Sequence, residues 1–84
     1  MKYDKITYRY DCKNDRIRLF FLGTREDSMG KWNSSGNYGD IYECTSHFVF
    51  IKVFGANPSL VTDTLEEMFS VIKETTGCNP EFEQ

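Results

Sequence analysis

Cysteine and histidine side chains are the first residues in this sequence whose types could support chemistry. Cys44 and His47 are three positions apart, and Cys12 and Cys78 complete a set of three cysteines and one histidine. Such a set can bind zinc, and a neighbouring Cys–His pair can act as nucleophile and base. Structural zinc ligands usually come as two close pairs, however, and only one close pair exists here. We therefore expect reduced thiols, no metal, no cofactor and no catalytic residue.

A glycine-rich segment is the second candidate. Residues 34–42 read Ser-Ser-Gly-Asn-Tyr-Gly-Asp-Ile-Tyr, and Lys52 follows within an apolar stretch. This pattern resembles the glycine-rich loop and strand lysine of protein kinases, with Glu67 near the place of the lysine's acidic partner. Ser34 stands at the first glycine, and the segments that would hold magnesium are missing, so we do not expect kinase activity. We interpret the segment as the start of a β-hairpin.

Acidic side chains near the C-terminus form the third group. Asp63, Glu66, Glu67 and Glu74 lie on one side of a predicted helix. Acids on the outer side of a single helix are usually just solvated. The alternative is an acidic surface that docks on a basic partner. For that alternative we name Asp63, Glu67 and Glu74 as contacts.

Length and charge limit the class of protein. A chain of 84 residues predicts a single domain over residues 1–84. No apolar stretch is long enough to span a membrane and the N-terminus has no signal-peptide pattern, so we expect a cytoplasmic protein. The net charge is −3 and is polarised, because residues 1–54 carry 9 basic against 7 acidic side chains and residues 55–84 carry 1 against 6. This balance gives no general support for nucleic-acid binding.

Alternating residues predict a first hairpin. Ile6, Tyr8, Tyr10 and Cys12 lie on one side of a strand, and Asn14–Asp15 offers a two-residue turn. That turn places Tyr10 opposite Leu19 and Asp11 opposite Arg18, so that the apolar pairs share one face.

Residues 23–37 contain three glycines and no sustained period, which predicts a long loop. This loop holds Met29, Lys31 and Trp32, the only tryptophan. Trp32 either folds back to fill the rim of the core or anchors a partner, because tryptophan is over-represented among interface hot spots. We predict these three residues as the main partner contacts. Whether the loop is ordered without a partner stays open.

A second hairpin and a helix are predicted next. Tyr38 to Cys44 pairs with His47 to Phe54 through Thr45–Ser46, which places Val49 and Ile51 on one face and Phe48 and Phe50 on the other. Asn57–Pro58 is typical of a helix start and Gly77 of a helix end. Between them, Val61, Leu65, Met68 and Ile72 form an apolar stripe. Residues 79–84 are predicted to form a loose tail.

The predicted fold class is therefore α+β. It has a four-stranded, mostly antiparallel sheet of two hairpins with the long loop between them, in the order ββββα, and one C-terminal helix packs on one face. Because one helix covers one face only, something has to cover the other. The predicted sheet-face interface comprises Phe20, Phe48, Phe50, Lys52 and Phe54. A second copy in a homodimer, the long loop or another protein are the alternatives.

These patterns favour a non-catalytic protein-binding module. Its small, acidic, single-domain build is similar to inhibitors or regulators of the phage, mobile-element or immunity type. The alternative is a module that binds single-stranded nucleic acid on the sheet. Basic side chains interleave with aromatic ones there, as such a sheet needs, namely Arg9, Arg16, Arg18 and Lys52.

Overall fold

The computed structural model describes residues 2–52 and 60–83, which form six strands and one helix. The elements are β1 Lys2–Asp11, β2 Arg16–Asp27, β3 Gly30–Glu43, β4 Phe48–Lys52, β5 Leu60–Thr62, α1 Leu65–Thr76 and β6 Pro80–Phe82. The strands form one sheet in the order β5-β4-β3-β2-β1-β6, in which β6 runs parallel to β1 and the other neighbours are antiparallel. The α+β class and the C-terminal helix are confirmed, whereas four strands was too few.

One face of the sheet, the helix face, packs against α1 and forms the core. Met68 and Ile72 lie on α1 four residues apart, and both are buried against this face. The strands contribute the other buried side chains of this cluster, which are Ile6, Ile17, Leu19, Tyr38, Ile41 and Phe50. We call the opposite side of the sheet the open face.

The first hairpin has the predicted faces but a different register. A four-residue turn over 12–15 replaces the two-residue turn, so Asp11 pairs with Arg16 and Tyr10 with Ile17. Within the turn, the Asn14 N–H donates to the Asp11 carbonyl at 3.2 Å, and Asp15 adopts a positive φ of 49°. Because the register differs by two residues, each side chain keeps its predicted face. The expected pair of Asp11 with Arg18 is wrong.

The predicted loop over residues 23–37 is wrong, because β2 continues to Asp27 and β3 begins at Gly30. Ser28 and Met29 form the turn, where the Met29 N–H donates to Asp27 Oδ1 at 2.7 Å. Pairing with β1 ends at Thr24 and pairing with β4 begins at Gly39. Residues 25–32 therefore form a two-stranded arm beyond the described neighbouring strands, which explains the long dimension of 47 Å.

The second hairpin has the predicted register. The Cys44 N–H donates to the His47 carbonyl at 2.8 Å, and Ile41 pairs with Phe50. This register places Ile41 and Phe50 in the core and their neighbours on the open face.

The helix begins later than predicted and ends where predicted. Thr64 is the N-cap, and its hydroxyl accepts a hydrogen bond from the Glu67 N–H at 3.1 Å. Gly77 ends the helix with φ of 79°, the left-handed geometry that glycine adopts most readily. The predicted start at 57–58 lies outside the described residues. Val61 is in β5 and not in the helix stripe.

The C-terminal segment, predicted to be loose, forms β6 instead. Pro80 pairs with Ile6 and Phe82 with Tyr8. The Glu83 N–H extends this contact by donating to the Tyr8 carbonyl at 2.8 Å. The sequence pattern did not predict the strand because it is short and contains proline, which sheets tolerate at their edges.

Gly39 on β3 has no room for a side chain against β4. A Cβ at this position would lie 2.4 Å from Phe50 Cε1 and 2.8 Å from the Ile51 carbonyl oxygen. Gly36 on the same strand has more room, since a Cβ there would lie 3.4 Å from Phe21 Cε1. Close packing of Phe50 on Gly39 thus accounts for one glycine of the glycine-rich segment.

We expect Gly39→Ala to destabilise the fold by about 1 to 3 kcal/mol, because the new methyl group must displace the Phe50 ring or the β4 backbone. Gly36→Ala is the matched control and should change stability far less. Urea unfolding at equilibrium measures both. Equal midpoints for the two variants would contradict the packing role of Gly39.

Candidate functional site on the open face of the sheet

The open face carries polar, charged and apolar side chains together. Strand alternation places it opposite the core, and α1 packs on the other face. Its central side chains come from four adjacent strands and are Lys5, Thr7, Arg9, Asp11, Arg16, Arg18, Phe20, Leu22, Asp40, Tyr42, Val49 and Ile51. Among the described residues no helix packs on this face, and these groups are open to a ligand or partner there.

An ionic network on one half of the open face links β1, β2 and β3. Arg16 Nε lies 2.9 Å from Asp11 Oδ2, and its Nη1 lies 3.5 Å from Asp40 Oδ2 and donates to the Tyr42 hydroxyl at 3.4 Å. Asp40 also pairs with Arg18 Nε at 3.3 Å. Asp40 thus connects two arginines of β2, and its side chain is only 13% exposed.

The network changes the proton affinity of two of its members. The Asn14 side chain and then the Arg16 guanidinium, which both donate to Asp11, hold the pKa of Asp11 below its ordinary value. The Tyr42 hydroxyl and Asp11 raise the pKa of Arg16. Both groups are therefore charged at neutral pH, and the pairs that join β1, β2 and β3 are intact.

Phe20 lies at the centre of the open face between two guanidinium groups. The Arg9 Cζ lies 4.6 Å from the ring centroid and the Arg18 Cζ lies 5.8 Å from it. Arg9 and Arg18 are also direct register partners, an arrangement in which like charges repel. Asp40 compensates Arg18, whereas no described residue forms a salt bridge with Arg9. Arg9 therefore offers a charge-assisted hydrogen bond to a carboxylate or phosphate.

A shallow cavity of about 450 Å³ adjoins Arg9 and Phe20. Lys5, Thr7 and Glu83 contribute polar groups to its lining, and Thr7 Oγ1 donates to Glu83 Oε2 at 3.4 Å. A mixed cavity of this kind can bind an apolar group that carries a negative charge. The Glu83 carboxylate at its rim disfavours an accumulation of negative charge there.

Large apolar side chains on the open face remain exposed. Leu22 is 52% exposed, Ile51 48% and Val61 56%. Val61 joins this face because it pairs with Val49, which pairs in turn with Tyr42. Arginine and aromatic groups with an apolar surround are the composition of protein-binding surfaces.

The residues predicted as an aromatic loop lie on the arm. Met29 at the turn is 88% exposed and Trp32 is 43% exposed, so neither is buried in the core. Lys31 lies opposite Glu26, with 4.0 Å between Lys31 Nζ and Glu26 Oε2. Lys31 and Trp32 stand on the ladder of β2 and β3, and Met29 is in the turn that joins these strands.

The predicted acidic contacts lie away from the arm. Asp63 and Glu67 flank the start of α1, next to β5 and the Phe48 end of β4. The arm extends from the other end of the sheet, past the pair Lys2–Thr24. The structure therefore does not bring these acids together with Trp32, and Glu74 is on the exposed side of α1 near its C-terminal end.

The structure also divides the predicted sheet-face interface. Phe20 is on the open face, whereas Phe48 and Phe50 pack on the helix face, and Phe50 is only 9% exposed. Strand alternation separates them, because Val49 and Ile51, the neighbours of Phe50 on β4, lie on the open face with Phe20. The Lys52 side chain and Phe54 lie outside the described residues.

The cysteine and histidine side chains that the sequence offered as a metal or catalytic site do not lie together. Cys44 and His47 close the second hairpin through their backbones, and His47 Nδ1 lies 3.3 Å from Ser46 Oγ. Cys78 is partly buried at the edge of the core, where its thiol donates to the Tyr3 carbonyl at 3.3 Å, and Cys12 is exposed. Within the described ranges, no group of three His, Cys, Asp or Glu residues is arranged to hold a metal.

Sequence reasoning missed the roles of Asp40, Tyr42 and Glu83. Asp40 and Tyr42 alternate with the buried Gly39 and Ile41, a signal that places them on the open face once the second hairpin is accepted. Glu83 gave no signal, because its position depends on the unpredicted β6.

No family model, curated protein or solved structure matches this chain. The site's own geometry must therefore support any functional argument. Over residues 2–52 and 60–83, α1 is too short and too polar to cross a membrane.

Acid should remove the contribution of Asp11 to stability. The folded-state pKa of Asp11 is lowered, so its stabilising effect is present above its unfolded pKa of about 4 and is lost as the pH falls through the folded value. We expect Asp11→Asn to be less stable than the native chain near neutral pH and equally stable in strong acid. Urea unfolding over a pH series tests this, with Asp15→Asn as the control. A constant difference at every pH would show that the Asp11 charge is not responsible.

Proposed function

We propose that this chain is a non-catalytic protein-binding module whose contact surface is the open face of the sheet. Its action is that of a small inhibitor or regulator, which works by occupying a surface of another protein. The single observation that carries the proposal is the position of Phe20 between Arg9 and Arg18 on a face that α1 leaves uncovered.

The composition of the open face supports a protein partner. Aromatic and arginine side chains supply most of the binding energy in protein interfaces when apolar neighbours exclude water from them. Here Leu22 and Ile51 are the exposed apolar neighbours, and Arg9 has a guanidinium ready for a new carboxylate. The partner that fits is a surface with an apolar side chain for Phe20 and Leu22 and an acidic group for Arg9.

The fixed charge network supports the same proposal. Arg16 and Arg18 are compensated by Asp11 and Asp40, so they hold the face in shape before binding. A preorganised surface loses less entropy when it binds. Binding therefore needs no rearrangement of the described strands.

We expect Phe20→Ala to weaken the complex by roughly 30-fold or more, the effect of losing a hot spot of about 2 kcal/mol. Arg9→Ala should weaken it by a similar order. Lys73→Ala is the control, because this exposed cation is on α1 behind the sheet. Calorimetric titration with the captured partner measures all three variants.

Capture itself can test the surface. A benzophenone amino acid at Leu22 should cross-link the partner in an extract of the cells that contain this protein, and the same group at Ser70 on the exposed side of α1 should not. Cross-linking from Ser70 alone, or a Phe20→Ala variant that binds within twofold of the native chain, would contradict the proposal.

A second candidate is a module that binds single-stranded nucleic acid on the same face. The observation in its favour is Arg9, which is stacked on Phe20 and free of salt bridges to the described carboxylates, with Lys5 beside the same cavity. Bases stack on such side chains and phosphates bind the cations. Fluorescence anisotropy with labelled oligothymidine and oligouridine tests this at low and high salt. Absence of binding at low salt would exclude it, since phosphate contacts are strongest there.

A further inference from the structure

Strand β6 places acidic side chains beside the cations of β1 on the open face. Glu81 pairs with Thr7 in the parallel ladder, so these two side chains share the open face. The Glu83 N–H donates to the Tyr8 carbonyl, which continues the same alignment and brings Glu83 level with Arg9 on the neighbouring strand. A short segment at the end of the described chain thus contributes two carboxylates to this face.

The Glu83 side chain reaches the cavity of about 450 Å³ without pairing with a cation there. Thr7 Oγ1 donates to Glu83 Oε2 at 3.4 Å, and Glu83 lines the same cavity as Lys5 and Arg9. None of the salt bridges between described residues includes any of these three charged groups. The cavity therefore offers both a carboxylate and two cations to a partner.

Two further charges of opposite sign lie at the start of β1. Lys2 pairs with Thr24, which alternates with Leu22 and so lies on the open face, and the Thr24 hydroxyl donates to Asp4 Oδ2 at 2.7 Å. Residues 53–59 have no charged side chain, so they leave the charge balance of this face unchanged. Outside the Arg16 network, β1 and β6 present equal numbers of cations and carboxylates here, namely Lys2, Lys5 and Arg9 against Asp4, Glu81 and Glu83.

This balance disfavours a polyanion on the open face. Neighbouring strands lie about 4.8 Å apart, well within the screening length of about 8 Å at physiological salt. A phosphate bound to Arg9 would therefore be repelled by Glu83. A nucleic acid strand brings several phosphates in a row, so the repulsion from Glu83 and Glu81 would add up along the strand.

A protein surface with a paired acid and base fits the same charges. Its carboxylate would bind Arg9 beside the Phe20 ring, and its lysine or arginine would bind Glu83. Side chains four residues apart on a helix have Cβ atoms about 5 to 6 Å apart, which is close to the spacing between β1 and β6. Leu22, which is 52% exposed and lines the cavity, is available for an apolar contact next to this pair.

We propose that Glu81 and Glu83 determine the specificity of the open face: they exclude nucleic acid and select a protein partner that carries a carboxylate and a cation side by side. The partner's carboxylate binds Arg9 and its cation binds Glu83. This inference rests on the proposed function, because it takes the open face as the contact surface. It adds the chemistry of the partner and gives β6 a role in choosing it.

Neutral substitutions on β6 test the exclusion of nucleic acid without the partner. Glu81→Gln/Glu83→Gln should bind labelled oligothymidine about tenfold or more tightly than the native chain at about 50 mM salt, because the cations of β1 then lack neighbouring carboxylates. Glu66→Gln/Glu74→Gln is the matched control, since it changes the net charge equally but lies on the exposed side of α1 behind the sheet. Fluorescence anisotropy measures the three chains, and circular dichroism confirms that each is folded.

A charge reversal separates the two halves of the proposal. Glu83→Lys should tighten binding of oligothymidine and weaken binding of the partner captured through Leu22 about tenfold or more, and a misfolded variant would not produce these opposite effects. No gain in oligothymidine affinity for the β6 double variant, or an equal gain for the α1 control, would overturn the exclusion. Partner binding that Glu83→Lys leaves unchanged would overturn the contact between Glu83 and a cation. Failure to capture a partner from Leu22 would contradict the proposed function, whereas the oligothymidine titrations still decide the role of β6.

Discussion

Strict alternation along β2 is the constraint on which the rest of this structure depends. Ile17 and Leu19 point to the helix face and are at most 4% exposed, while Arg16 and Arg18 point to the open face. A shift of one residue would bury two guanidinium groups and expose the core, at a prohibitive free-energy cost. Because β1 and β3 both pair with β2, its alternation also assigns the faces of its neighbours.

Two irregular positions explain where reading the sequence succeeded and where it failed. Tyr3 and Ile6 both lie on the helix face although they are three positions apart, because the register shifts at Asp4. Tyr38 and Ile41 are both buried for the same reason, since a second shift falls between Leu19 and Phe20 of the partner strand. Such bulges have no period-two signal. The faces of residues between the two shifts were therefore predictable from the sequence, whereas the faces beyond each shift and the arm were not.

The elements near the C-terminus illustrate a different limit. Thr64 and Asn57 are both suitable N-caps, and local propensity alone does not choose between them. The choice follows from the pairing of Leu60–Thr62 with β4, a contact between distant segments. The charge network shows the same limit, because Arg16 was visible in the sequence but its partner Asp40 depends on the register of β2 with β3. Packing of Leu65, Met68 and Ile72 was predictable because it needs only the helical period.

The parallel pair of β1 and β6 has a consequence for how the chain folds. It joins residues 6–8 to residues 80–82, so this edge of the sheet cannot form until almost the whole described chain has left the ribosome. The β2–β3 hairpin, by contrast, contains only nearby residues and can form early. During synthesis, the apolar side chains of the β2–β3 hairpin and of the helix face of β1 therefore stay uncovered until α1 and β6 have been made. The apolar surface at this edge of the sheet is therefore covered only after residues 80–82 have been translated.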